Sequence, residues 1–210
     1  MTYTHHNLKN RKYASAPSRI KSKEETIKIF ILQPLFEAYQ IVRSEDVISN
    51  TTHEDTITRR IIDHIKRDSS ISIYTDKTID ISFTPGESSE NGGLTRPDIK
   101  FFISDIIKIF IEAKRIYKGS TPGTYCGKEG LGRFLSGYYS SQEGHAGMIA
   151  YIQEGRLSDI QKEIIKKVNG CNCTELKEDL GIDNSFLSLH KRNSNSNIKI
   201  YHLLFDFVQH

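Results

Sequence analysis

Asp98, Glu112 and Lys114 are the residues of this chain whose types and spacing best suit chemistry. They lie in the segment from Arg96 to Arg115, RPDIKFFISDIIKIFIEAKR, which is dense in Ile and Phe and therefore strand-forming, with Ser104 and Asp105 suited to a turn. The second arm alternates. Ile107, Ile109, Ile111 and Ala113 make one apolar face, and Lys108, Phe110, Glu112 and Lys114 make the other. Pro97 can begin a strand but not sit inside one, so Asp98 marks the start of the first arm. If the turn pairs residue 102 with 108, Asp98 stands opposite Glu112 with the Cβ atoms roughly 5 Å apart. A two-residue turn shifts the register by one and sets Asp98 opposite Ile111, on the wrong face. The sequence leaves both registers open; the first is the one the chemistry needs.

Two carboxylates at that separation repel unless a cation lies between them or one takes up a proton. Oxygen ligands with room left for water and a substrate phosphate favour magnesium, with manganese able to substitute, over zinc. Such an ion lowers the pKa of a bound water and offsets charge building up on phosphorus. Lys114, two residues beyond Glu112 on the same face, is placed to orient the attacking water or to act as a point cation. The competing reading is a solvated strand face on which Glu-x-Lys has arisen by chance.

Pro97-Asp98 followed by Glu112-Ala113-Lys114 resembles the PD-(D/E)XK nuclease superfamily at every signature position. The resemblance implies an α/β fold with a restriction-endonuclease-like core, a central mixed β-sheet flanked by helices. It also implies that Asp98 and Glu112 bind the metal, with the Ala113 carbonyl completing its shell, and that Lys114 assists the water. The family carries a further glutamate on the helix before the core strands. Here a helix is predicted from His53 to about Arg67, with Ile57, Ile61, Ile62 and Ile65 as its apolar stripe. Glu54 matches the family glutamate and Asp55 is the reserve. Both also sit where the helix dipole favours acids for purely structural reasons.

The elements that must position these groups follow from periodicity. Glu24 to Val42 reads as a helix that Pro34 should kink or divide. Tyr125 to Leu135 reads as a helix despite its glycines, and Gly147 to Gln153 as a strand, an αβ step that the resemblance also implies. Leu157 to Val168 reads as an amphipathic helix with Ile160, Ile164, Ile165 and Val168 inward, and Thr174 to Leu180 as a short helix ended by Gly181. Ile198 to Phe207 reads as the last strand. Arg133 is a candidate phosphate contact or an ordinary paired arginine. His190 with Arg192 is a second candidate phosphate contact, although histidines near strand ends more commonly serve as hydrogen-bonding groups.

Across its 210 residues the chain has 37% hydrophobic content and a net charge of +3, enough to bury one core; a single domain over residues 24–210 is expected. No apolar run is long enough for a membrane span and the polar start lacks a signal-peptide centre, so a cytoplasmic protein is expected. Cys126, Cys171 and Cys173 are too few for a disulfide framework, and Cys171-Asn172-Cys173 has no partner motif for zinc. No phosphate loop of nucleotide-hydrolase type is present. Residues 1–23 form a basic arm with Lys9, Arg11, Lys12, Arg19, Lys21 and Lys23, suited either to a phosphate backbone or to a solubilising tail. The low-complexity stretch Pro85 to Gly93 reads as a loop beside the proposed metal. The leading expectation is a magnesium-dependent endonuclease acting on DNA, with RNA the alternative to DNA, and the resemblance alone implies a setting in restriction or phage defence. Target choice would then come from loops, the arm, a dimer mate or a partner subunit. The alternative is a silent nucleic-acid-binding or assembly protein that keeps the fold.

Overall fold

The computed structural model describes residues 22–72, 78–83, 96–104, 107–118, 121–139 and 142–209. The basic arm up to residue 21, the loop Pro85 to Gly93 and the turn residue Asp105 lie outside the described residues. Among those described, the Ile- and Phe-rich segments form a seven-stranded mixed sheet with helices on both faces. The chain enters through α1 (Lys23–Ile27), α2 (Gln33–Ser44) and α3 (Glu54–Asp68). A meander of β1 (Ile79–Phe83), β2 (Ile99–Ile103) and β3 (Ile107–Ile116) follows, antiparallel throughout. Helices α4 (Pro122–Cys126) and α5 (Leu131–Leu135) then cross to β4 (His145–Ile152), which runs parallel to β3. After α6 (Leu157–Asn169) come β5 (Cys173–Lys177), β6 (Ser185–Lys191) and β7 (Asn197–Asp206), giving the order β1-β2-β3-β4-β7-β6-β5.

The three parallel strands β3, β4 and β7 form the centre of the sheet, and seven of the eight residues of β4 are buried. Burial on both faces is what a parallel centre requires, since its crossovers lay helices over it. On one face, Ile27, Leu35, Ile57, Ile61 and Ile65 pack with Ile109, Ile111, Ala113 and Tyr151. On the other, Tyr125, Phe134, Ile160, Ile164 and Val168 pack with Met148, Ala150, Ile200 and Leu204. The alternation read along β3 is therefore real: its Ile–Ala face joins the α1–α3 layer and its Glu–Lys face lies beneath the α4–α6 layer.

The first helix is divided as expected, by a π-helical stretch that ends just before Pro34, and two other local expectations change. The Gln33 N–H reaches back five residues to the Lys28 carbonyl in a π-turn over Lys28–Leu32, and Pro34 enters in the first turn of α2, where its missing N–H costs least. The helix expected over Tyr125 to Leu135 is two helices of five residues each, separated at Gly127–Gly130. A Cβ at Gly130 would stand 2.1 Å from the Tyr125 carbonyl oxygen, so only glycine permits this reversal. Thr174 to Leu180 is no helix, because its first half pairs with β6 as the edge strand β5. Its register shifts between Cys173 and Glu175, a bulge of the kind that blunts an exposed edge. The segment Ser188 to Lys191 belongs to β6, which pairs along β7.

Candidate functional site

The hairpin takes the register the chemistry needs: Phe102 pairs with Lys108 and Ile99 with Ile111, which sets Asp98 across from Glu112. Strand β2 begins at Ile99 whereas β3 continues to Ile116, so beyond Ile111 the near edge of β3 has no strand beside it. Buried N–H groups on that edge need acceptors. Side-chain carboxylates supply them: Asp98 Oδ2 accepts from the Ala113 N–H at 2.7 Å, and Glu54 Oε2 from the Arg115 N–H at 3.0 Å. Asp98 is held there by the extended start of β2, and Glu54 by its place in the first turn of α3. The loop before α3 is anchored in turn by the Gln153 amide, which donates to the Ser49 and Thr52 carbonyls, and by Arg115 Nη1 on Thr52 O at 2.7 Å.

The charged groups of β3 complete the cluster. Lys114 Nζ lies 2.7 Å from Glu112 Oε1, 2.7 Å from the Ala113 carbonyl oxygen and 3.4 Å from Glu54 Oε1. Arg133, carried by α5 just past the Gly130 reversal, places Nη1 2.7 Å from the same Glu112 Oε1 and 2.6 Å from the Tyr139 hydroxyl. Its other terminal nitrogen pairs with Glu129, and Tyr139 donates onward to the Arg96 carbonyl at 3.1 Å. Glu112 has no exposed surface and Asp98 retains 8%, whereas the side chains of Lys114, Arg133 and Glu54 keep 13%, 14% and 25%. Among these groups, solvent therefore reaches the cluster mainly past Glu54, Lys114 and Arg133.

The electrostatics are unbalanced. Among the described residues, Glu54, Asp98, Glu112 and Glu129 face two cations, Lys114 and Arg133. Burial first, and then the Glu112 charge, push the Asp98 carboxyl up to about 8 against the opposing pull of Lys114. Burial also raises Glu112, with Lys114 and Arg133 working against it. Lys114 is shifted upward: burial favours the neutral amine, but Glu54, Glu112 and Asp98 together outweigh it. Glu112 Oε2 is buried with no hydrogen-bond partner, although Oε1 of the same group has two cations. A buried carboxylate oxygen left bare costs stability unless something positive meets it.

A divalent ion fits this donor set: hard oxygen ligands, a bare carboxylate oxygen, a strand carbonyl and surplus negative charge. In the arrangement seen, no group of three or more His, Cys, Asp or Glu side chains among the described residues closes on a single point. The Lys114 ammonium stands between Glu54 and Glu112.

The remaining candidates sort differently. Arg133 reaches the cluster, but its guanidinium is spent on Glu112, Glu129 and Tyr139. His190 and Arg192 do not reach it, and the reading of them as phosphate contacts gives way to a structural one. His190 is fully buried and bonded to the Cys171 carbonyl and Ser188 hydroxyl; Arg192 is 3% exposed and donates to the Phe134 and Glu143 carbonyls. Asp55 sits beside Glu54 in the first turn of α3. Tyr139 and the backbone N–H groups of Ala113 and Arg115 carry parts of the site with no signature at the level of sequence, since none stands out as part of a charged motif.

No protein-family model, no curated protein and no solved structure matches this chain.

Proposed function

We propose that this protein is a metal-dependent nuclease that hydrolyses phosphodiester bonds, with DNA as its substrate and magnesium as its ion. The observation that carries the reading is the bare, fully buried Glu112 Oε2 inside a cluster whose acids outnumber its cations. Asp98, Glu112, Glu54 and the Ala113 carbonyl are the groups that would hold the ion. When bound, it would lower the pKa of a coordinated water and offset charge developing on phosphorus. Lys114 keeps its proton, being shifted upward, and so serves as a cation that orients water or meets developing charge rather than as a base. Arg133 holds the Glu112 carboxylate in place and keeps part of its own surface exposed beside it. Access past Glu54, Lys114 and Arg133 suits a phosphate arriving from outside the sheet. The choice of DNA, the restriction-endonuclease-like core and a setting in restriction or phage defence rest on the resemblance of Pro97-Asp98 and Glu112-Ala113-Lys114. The αβ step to a strand parallel to β3 and the glutamate on the preceding helix agree with it.

The test is cleavage of plasmid DNA, linear DNA and RNA with magnesium or manganese, against Asp98→Ala and Lys114→Ala. Cleavage that needs the metal and is lost in both variants is expected; cutting that persists in either removes the assignment.

A second reading has its own observation. Glu112 Oε1 already has Lys114 and Arg133 at 2.7 Å, which is how a closed salt-bridge cluster in a binding or assembly protein would look. That reading predicts lower stability for Glu112→Ala with metal of no consequence, and it leaves Oε2 without a purpose.

A further inference from the structure

We propose that the Lys114 ammonium is the resident cation of this site, competing with the divalent ion for the same oxygens and yielding its place when that ion is loaded. The inference rests on the metal-site reading above and adds a regulatory property to it: the site is held shut by its own lysine until the free divalent concentration is high enough to displace it.

The contacts make the case. One oxygen from each of three groups assigned to a divalent ion, Glu112 Oε1, the Ala113 carbonyl and Glu54 Oε1, lies within 3.4 Å of one Lys114 nitrogen. An ammonium has three donors and no acceptor, so three oxygens saturate it. The bond to the Ala113 carbonyl turns the side chain back onto its neighbour's backbone, at the strand edge that β2 leaves open, so the ammonium sits on a backbone oxygen as well as on carboxylates. In the same placement the carboxylates surround an ammonium without closing on a common point.

Lys114 replaces only part of what a divalent ion supplies. It brings a single charge to a cluster with an excess of acids, and it leaves Glu112 Oε2 bare while Asp98 Oδ2 is bonded to the Ala113 N–H. A doubly charged ion addresses both deficits, which is what makes the exchange favourable above a threshold concentration. The exchange breaks no covalent bond. Lys114 keeps its proton and swings toward the exposed side of the cluster, where its flexible four-carbon stem can carry the ammonium to solvent or to an incoming phosphate.

Removing the ammonium while keeping the stem should therefore tighten metal binding even as it removes cleavage. The experiment is manganese binding to the full chain, by calorimetry and by the paramagnetic signal of free manganese, for wild type and Lys114→Met. Tenfold or tighter binding by Lys114→Met is the expected result. Equal or weaker binding by the variant, with wild type still binding and cutting, overturns the competition and leaves the nuclease reading standing. Absence of binding in both proteins overturns the two together. A measurement on wild type alone covers the case in which Lys114→Met does not fold: acylation of Lys114 by an amine-specific reagent, followed by mass spectrometry, should rise several-fold when magnesium is added. Unchanged or reduced labelling, with metal binding established, contradicts displacement.

Discussion

Two buried polar clusters lie on the α4–α6 side of this sheet, and they are built on opposite principles. One is a closed chain: Tyr125 Oη is bonded to His202 Nδ1 at 2.8 Å, His202 Nε2 to Ser188 Oγ at 2.7 Å, Ser188 Oγ to His190 Nε2 at 2.7 Å, and His190 Nδ1 to the Cys171 carbonyl at 2.7 Å. The carbonyl can only accept, so His190 donates from Nδ1 and each donor upstream is fixed in turn, back to the Tyr125 hydroxyl. Every ring nitrogen in that chain has a partner and both histidines stay neutral, since burial lowers their pKa values. The other cluster, at the open edge of β3, has charged members, more acids than cations and one bare oxygen. A fully satisfied network specifies a core. An unsatisfied, charged one at a strand edge is what the proposed metal site needs.

Substitutions should separate the two regions, and the largest effect is expected at the strand edge. Asp98→Ala and Lys114→Ala should each lower the cleavage rate by about 10²–10³-fold, the scale of losing a group that meets transition-state charge. Their melting curves should show a folded protein. His202→Ala should do the reverse, costing about 3 kcal/mol in urea unfolding through its cavity and two orphaned partners. Cleavage by that variant, assayed well below its melting point, should be retained.

The regions should also respond oppositely to pH. Asp98 is raised from 3.8 to about 8, so the folded state holds a proton that the unfolded state releases. In chelator, stability should fall as pH rises through that window, with a slope approaching 1.4 kcal/mol per pH unit at most. The histidines act below their ordinary value of 6.5, where the unfolded chain takes up protons that the buried rings refuse; their contribution is lost as pH falls. Between about pH 6.5 and 8, Asp98 therefore acts without opposition from the histidines. Denaturant titrations at pH 6.5 and 8 should show a decline in wild type that Asp98→Asn abolishes and saturating magnesium reduces.

The smallest effect concerns the support of Arg133. Tyr139→Phe removes the hydroxyl that accepts from Arg133 and donates to the Arg96 carbonyl, each bond worth about 1 kcal/mol. Cleavage should fall only a few-fold, with the metal affinity nearly unchanged by calorimetry. A loss as large as that of Asp98→Ala would move Tyr139 into the chemistry.

The hairpin, the Ile stripe of α3 and the buried strand β4 were legible because each follows one period for long enough to exclude the alternatives. Asp98, Glu112 and Lys114 were legible because ionisable groups interrupt such a period at fixed spacing. The register of the hairpin was not, since a turn one residue shorter obeys the same pattern. Strand β5 was misread because five residues of mixed propensity are decided by the partner strand, and β6 had not itself been read as a strand. His190 and Arg192 looked available because sequence carries no record of burial. Arg133 looked like a phosphate ligand or an ordinary paired arginine, and only the break at Gly130 brings it over Glu112.

Manganese-soaked crystals examined by anomalous diffraction test the central assignment most directly. A peak about 2 Å from Glu112 Oε2 and from the Ala113 carbonyl oxygen, with the Lys114 ammonium moved off that carbonyl, is the result expected. Crystals showing Lys114 still seated on the Ala113 carbonyl and no anomalous density at the open edge of β3, at millimolar manganese, would contradict it.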